Sequence, residues 1–322
     1  MIYKKDKATG FQLACISLGS AGFGTPITQD GANRMLDTYV DHGGNFIDTA
    51  HVYANWIPGT QSSSEKMIGK WLKERKNRDK IYIASKGAHP HLNNMGQSRL
   101  SLSDITIDID EGLQYTGCDY FDLYYLHRDD PTVDVGEIME NANDLIKTGK
   151  TRTLGCSNWK ADRIKAANRY CYEKGLIGFT ASQILYCLAE PNCDAFTDKT
   201  MVLMTPEEYE YYINSNLLLT AYSSQANGYF TKMYHNQPIN KAIMHSYANE
   251  TNVTIYESAK KIAENNRVSM TAVALAFVYS QPFDSIPVIG CNNVNQLEDS
   301  LRHCDFVLHP DEVETLNKVK WP

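Results

Sequence analysis

Short apolar runs alternate with longer stretches in which apolar positions recur at helical spacing, along almost the whole chain. Residues 15–19, 45–49, 81–85, 121–126, 153–157, 179–183, 217–222 and 285–290 read as eight strands. Segments 64–75, 134–148, 160–174 and 253–265 read as amphipathic helices. Ser64, ahead of Glu65 and Met67, marks one helix start, and Ser103-Asp104 marks another. Repeated strand–helix units imply a parallel sheet. Eight of them predict closure into an α/β, (β/α)8 TIM barrel, with the active site at the C-terminal strand ends. Two stretches break the rhythm, 188–210 and 223–241, and the second is rich in Gly, Asn, Gln and aromatics. Loops of that length tend to be functional covers or disordered, here expected at the C-terminal face. No linker, repeat or low-complexity segment interrupts the pattern, so residues 1–322 are expected to form one domain.

Composition narrows the function classes. A formal net charge of −7 and the lack of a basic stripe with interleaved aromatics argue against a nucleic-acid partner. No apolar run reaches the length of a membrane span. The opening Met1-Ile-Tyr-Lys-Lys-Asp-Lys has no apolar core of a secretory signal. The eight cysteines include no CxxC pair and read as reduced, small buried hydrophobes. A cytoplasmic protein is the expectation. Nothing in the pattern decides the oligomeric state.

Polar residues stand where several apolar runs stop: Asn45-Phe-Ile-Asp48, Ile81-Tyr-Ile-Ala-Ser-Lys86 and Phe121-Asp-Leu-Tyr-Tyr-Leu-His127, with Tyr53 shortly after the first. A carboxylate, a phenol, an amine and an imidazole at successive strand ends make one proton-transfer site. A phenol is a poor acid near pH 7, because its ordinary pKa is about 10. A neighbouring ammonium favours the phenolate, and a carboxylate would keep that ammonium charged and in place. The quartet therefore reads as acid chemistry at a carbonyl. Residue by residue, blander readings compete. Tyr53 is one of twenty tyrosines, Asp48 and Lys86 could be a structural ion pair, and His127 a satisfied core histidine. Lys86 does need a partner, because lysine is almost never buried alone. His89 and His91 form a lone His-x-His with no third ligand, so no metal is expected there, and with His51 they read as lining the substrate mouth or as surface residues.

The segment Asn45-Phe-Ile-Asp-Thr-Ala-His-Val-Tyr53, with Gly59 and Ser64-Glu65-Lys-Met-Ile-Gly69, closely resembles the aldo-keto reductase family. Lys86, Leu126-His-Arg-Asp-Asp-Pro131 and Gly155-Cys-Ser-Asn-Trp159 fit the same pattern in the same order. The resemblance runs from about Leu13 to Leu316 and is nearest to the bacterial and potassium-channel β-subunit branch. It implies a catalytic tetrad of Asp48, Tyr53, Lys86 and His127. Hydride would pass from a reduced nicotinamide to the carbonyl carbon, and Tyr53 would donate the proton. Lys86, held by Asp48, would lower the phenol pKa, and His127 would orient the carbonyl. The resemblance also implies that Ser157, Asn158 and Gln183 bind the carboxamide and that Tyr222 stacks on the nicotinamide. Ser223 and Lys232 would hold the pyrophosphate. At the adenosine end Gly290 and Gln296 fall where basic residues would be expected, with Asp299-Ser300 beyond. A 2′-phosphate gains little there, whereas Arg would grip it bidentately. The cofactor expected is NADP(H), with NAD(H) close behind. No GxGxxG run follows a strand, so a Rossmann site is not expected.

Trp56, His89, His91, Arg128, Asp129, Trp159 and the loop around residues 225–229 are candidate substrate contacts, unless Arg128 and Asp129 simply brace their own loop. A mouth mixing hydrogen-bonding groups with aromatic faces suits sugars or polyols and also flat aromatic ketones, and a sugar-like or other small polar carbonyl is the expectation. Two other readings stay open. The chain could be a cofactor-binding, redox-sensing subunit with little turnover, or a Schiff-base enzyme acting through Lys86.

Overall fold

The structure is a computed structural model and describes residues 1–321. Eight parallel strands close into a barrel: β3 (Ser17–Gly19), β4 (Phe46–Asp48), β5 (Tyr82–Gly87), β6 (Phe121–Leu126), β7 (Thr151–Ser157), β8 (Phe179–Gln183), β9 (Leu218–Ala221) and β10 (Ser285–Ile289). They lie in chain order around the ring, and β10 pairs with β3 to close it. All eight fall on the runs read from sequence. Every residue of β6 and of β10 is buried, as expected of parallel strands covered on both faces. The (β/α)8 TIM barrel is therefore the fold.

Helices α1 (Gln29–Asp41), α2 (Ser63–Arg75), α3 (Leu102–Thr116), α4 (Val135–Lys147) and α5 (Ala161–Lys174) follow β3 to β7 in turn. Helices α6 (Pro206–Ile213), α9 (Glu250–Asn266), α10 (Met270–Tyr279), α11 (Val294–Leu301) and α12 (Pro310–Lys320) complete the outer layer. The Asp134 carboxylate caps α4 by accepting from the Gly136 and Glu137 amides. Two start signals are displaced. Ser101, not Ser103, caps α3, and Ser64 leaves its cap role to bond Ser20 and Thr49 in the interior. The long stretches carry short structure of their own: α7 (Tyr229–Tyr234), α8 (Lys241–Tyr247) and a 3-10 turn at Cys193–Ala195.

A hairpin of β1 (Tyr3–Lys5) and β2 (Gln12–Ala14) precedes the barrel and was not foreseen. Its Leu13 and Phe11 pack with Phe46, Ala84, Leu123, Tyr125, Ala181, Leu218 and Ile286 in an apolar cluster separate from the one beneath the helices. Those strand residues alternate with outward-facing ones, so they form the barrel floor. Two residues further along each strand, the inward positions become Asp48, Lys86, Gln183 and Thr220. The same period of two that builds the floor therefore lifts a polar layer above it. Gly155 leaves room in that layer, because a Cβ there would come within 2.5 Å of the Tyr125 ring.

Candidate active site

Lys86 and Asp48 are both buried, and the Lys86 Nζ donates to Asp48 Oδ2 at 2.6 Å. It also donates to the Thr49 carbonyl at 2.8 Å and to the Tyr53 hydroxyl at 2.9 Å. All three donor positions of the ammonium are thus used. Burial alone would lower the Lys86 pKa, but Asp48 and Tyr53 outweigh it and hold it above the ordinary lysine value. The opposite carboxylate oxygen, Asp48 Oδ1, accepts from Gln183 Nε2 at 2.8 Å. Gln183 also reaches Thr220, which bonds the Tyr125 hydroxyl at 2.7 Å. A continuous polar layer therefore crosses the barrel beneath Tyr53.

Burial holds the Tyr53 phenol above its ordinary pKa. Lys86 pulls it down, as expected from sequence, but desolvation outweighs that pull and Asp48 adds to it. The expected net lowering is corrected on this point. The phenol is neutral near pH 7 and carries a proton to give.

The His127 ring lies edge-on to Tyr53, with centroids 6.1 Å apart. Burial, with Arg128 and His89 nearby, depresses its pKa well below the ordinary value. Its Nδ1 is buried without a hydrogen-bond partner, which leaves Nε2 as the nitrogen open to a guest.

Tyr53, His127 and Asp48 line a cleft of about 350 Å³, together with Arg128, Ser157, Asn158, Gln183, Tyr222, Ser223 and Gly290. Asn158 adopts a left-handed backbone, φ 59°, which asparagine tolerates better than most residues. Its side-chain oxygen accepts from the Tyr222 hydroxyl at 2.8 Å and the Val202 amide at 3.1 Å, and its amide nitrogen donates to Ser157 Oγ at 3.0 Å.

Several sequence candidates lie elsewhere. Trp159 is fully buried against Phe179, because the chain turns outward after Asn158. It does not line the cleft. His89 packs behind His127, with ring centroids 4.8 Å apart, its Nδ1 on the Pro90 carbonyl, and burial lowers its pKa to about 4. Lys232 on α7 turns back to the Asn227 carbonyl and also misses the cleft. Gln296 accepts from the Asn292 amide in the turn before α11, and Ser300 is buried in α11, where it accepts from Gln225. Trp56 stays half-exposed beside Tyr53 at the rim.

Arg128 reaches the cleft, yet its guanidinium is engaged by Thr200, Asp198 and the His127 carbonyl. Asp129 pairs with Arg163 at 2.9 Å, so Arg128 and Asp129 brace two different segments and not each other. Other lining residues were missed: Gly19 at the end of β3 with Ala21 and Gly22 beyond it, Cys291 and Asn292 after β10, and Met201. Applying the strand-end rule to β3 and β10 would have found all but Met201, which sits in an irregular segment without a signal.

Among the described residues no group of His, Cys, Asp or Glu is arranged to hold a metal, and no helix is long and apolar enough to cross a membrane. Residues 15–320 match the family model described as the aldo/keto reductase family. The chain is 26% identical to the aldo-keto reductase ausK of Emericella nidulans, over 97% of this chain and 78% of that protein. It is 27% identical to norsolorinic acid reductase B of Aspergillus parasiticus, over 97% and 82%. It is 25% identical to the aryl-alcohol dehydrogenase [NADP(+)] of Phanerodontia chrysosporium, over 95% and 81%. With its family model spanning almost the whole barrel, the chain belongs to the aldo/keto reductase family and is an oxidoreductase enzyme.

Proposed function

We propose that this enzyme reduces an aldehyde or ketone to the alcohol, reversibly, with Tyr53 as the proton donor. The observation that carries the reading is Lys86 joining Asp48 to the Tyr53 hydroxyl at the closed end of a cleft that His127 also lines. A reduced nicotinamide, when bound, supplies the hydride. The donor set fits a planar primary amide: Gln183 spends its nitrogen on Asp48 and Thr220 and keeps its oxygen to accept, beside Ser157 and Asn158. The Tyr222 ring in the same wall offers an aromatic face.

Tyr53 gives its proton to the carbonyl oxygen as charge develops there, and the Lys86 ammonium stabilises the phenolate that remains. His127, neutral, donates from Nε2 to the same oxygen. General acid catalysis of this kind contributes about 10²–10⁴-fold. In the reverse direction the Tyr53 phenolate is the base.

The cofactor reading is NADP(H), with NAD(H) as its competitor. One relative carries NADP(+) in its name, and against it stand Gly290 and Gln296 at the expected phosphate end. Comparing dissociation constants for NADPH and NADH decides this, and tighter NADH overturns the assignment.

The substrate is read as an aromatic aldehyde or ketone ahead of a sugar-like one. Trp159 and His89 lie outside the cleft and Arg128 is engaged, so fewer polar groups remain to bind hydroxyls. The Trp56 ring at the rim beside Tyr53 remains available, and two relatives are named for an aryl alcohol and for norsolorinic acid. Nicotinamide absorbance loss across aromatic aldehydes, ketosugars and quinones tests the reading. Turnover confined to ketosugars contradicts the substrate class, and cofactor binding without turnover on any compound favours a sensing subunit.

A further inference from the structure

His51 stands between the two acidic catalytic positions in sequence, Asp48 and Tyr53, but faces away from the cleft. Its amide donates to the Lys86 carbonyl at 2.9 Å, which continues the β4–β5 pairing one step beyond Asp48. Its carbonyl accepts from the Ser62 hydroxyl at 2.9 Å. The imidazole then points outward, between α2 and α3. Glu65 on α2 lies 3.5 Å from Nδ1, and Glu111 and Asp108 on α3 lie 3.3 and 3.9 Å from Nε2. Tyr115 of α3 stacks parallel to the ring at 6.3 Å, with the Lys66 ammonium 4.4 Å over Tyr115. Ser62 Oγ approaches Nδ1 at 3.4 Å.

The carboxylates differ in what else compensates them. Asp108 has Arg99, at 2.5 Å, and the Ala88 amide. Glu111 is half-exposed to water. Glu65 is fully buried: its Oε1 accepts from Ser85 at 2.6 Å, and its Oε2 has no hydrogen-bond partner at all. A buried carboxylate oxygen left alone is costly. The only group that can face it as a cation at ion-pair distance among the described residues is His51, when its ring is protonated.

From this arrangement we propose that His51 is a positioning residue. Its imidazolium, held against Glu65, Asp108 and Glu111, clamps the 49–53 segment that presents Tyr53 to Lys86. Proton donation by Tyr53 therefore weakens when His51 gives up its proton. The proposal rests on the reductase reading for its effect on rate, and on the ion cluster alone for the clamp. Burial opposes the charged ring, but Glu65, Asp108 and Glu111 outweigh it and raise its pKa above the ordinary histidine value. The clamp is accordingly complete below that ordinary value, near 6.5, and is lost as pH rises through the raised one. Misplacement of a reacting group by about 1 Å can cost on the order of 10²-fold. Loosening one anchor of several should cost about tenfold.

The test combines two readouts on the full chain. The first is amide hydrogen exchange of residues 49–55 in the cofactor-free protein, from pH 5.5 to 9, for wild type, His51→Gln, Glu65→Gln and the double variant. The clamp predicts slow exchange at low pH, beyond the intrinsic pH dependence of exchange, and a loss of protection above the His51 transition. Glu65→Gln should move that transition to lower pH, and His51→Gln should abolish it.

The second readout is kcat for carbonyl reduction over the same range. It should fall about tenfold through the same transition in wild type. It should be low and flat there in His51→Gln, and at least partly restored when Glu65→Gln relieves the orphaned carboxylate. An unmoved transition in Glu65→Gln, or a double variant no better than His51→Gln, overturns the proposal. If His51→Gln does not fold, Glu65→Gln alone decides through the position of the transition. Exchange that behaves as predicted in a protein that reduces no carbonyl refutes the reductase reading and leaves the clamp standing. Exchange that responds while kcat does not refutes the positioning role.

Discussion

At the scale of single residues, the site turns on an ammonium that has no way to leave. Lys86 is buried with its three donor positions used, and its pKa lies above the ordinary lysine value. Its share of stability is fully present below the unfolded value, near 10.4, and is lost only as pH rises through a still higher one. Between about pH 6 and 9 Lys86 therefore contributes no pH dependence. Lys86→Met strands the Asp48 charge, and breaking a buried pair in this way costs about 3–5 kcal/mol. Urea denaturation should therefore show a markedly lower midpoint for Lys86→Met, and a loss under about 1 kcal/mol would show that Gln183 alone satisfies Asp48.

The quartet was legible because each strand residue followed an apolar run that had to be buried, and a polar residue at its end had to face something. What was not legible was the sign of the net effect on Tyr53, because desolvation depends on how deeply the cleft encloses it. Nor could sequence place Trp159: one left-handed residue, Asn158, decides which side of the barrel wall the indole meets.

At the scale of elements, the helices are set by close approach as much as by periodicity. A Cβ on Gly69 of α2 would come within 2.2 Å of the Tyr115 carbonyl and 2.8 Å of the Thr116 Cα, both backbone atoms of α3. Gly69→Ala forces the two helices apart, at a cost of about 1–3 kcal/mol typical of overpacking. A reduced urea midpoint with an unchanged slope is the expected result, and an unaltered midpoint would mean that α2 and α3 separate freely. Because α2 carries Glu65 and α3 carries Asp108 and Glu111, the same spacing sets the His51 cluster. Helices with one apolar stripe, such as α4, were legible from their spacing. Helix α10 was not: all ten of its residues are buried, so no polar face marks its period. The β1–β2 hairpin escaped for the opposite reason, since its three-residue strands include Lys4, Lys5 and Gln12 and make no apolar run.

At the scale of the whole molecule, the barrel interior is layered, with an apolar floor plugged by the hairpin and a polar layer one pleat above it. The two layers should respond separately to mutation. Leu13→Ala opens a cavity in the floor and should cost about 2–5 kcal/mol, read as a lower melting temperature. Cofactor affinity should stay within about twofold, because Ser157, Asn158 and Gln183, proposed here to hold the carboxamide, lie in the layer above. A large loss of affinity in Leu13→Ala would show that floor and site are not independent.

The central claim is that Tyr53 delivers the proton while other residues hold the cofactor. The most direct measurement is single-turnover loss of nicotinamide absorbance with an aromatic aldehyde, for wild type and Tyr53→Phe, alongside cofactor dissociation constants. A rate about 10²–10⁴-fold slower in Tyr53→Phe, with cofactor binding unchanged, is the predicted result. Equal rates in the two proteins would contradict the claim and assign the proton to another group.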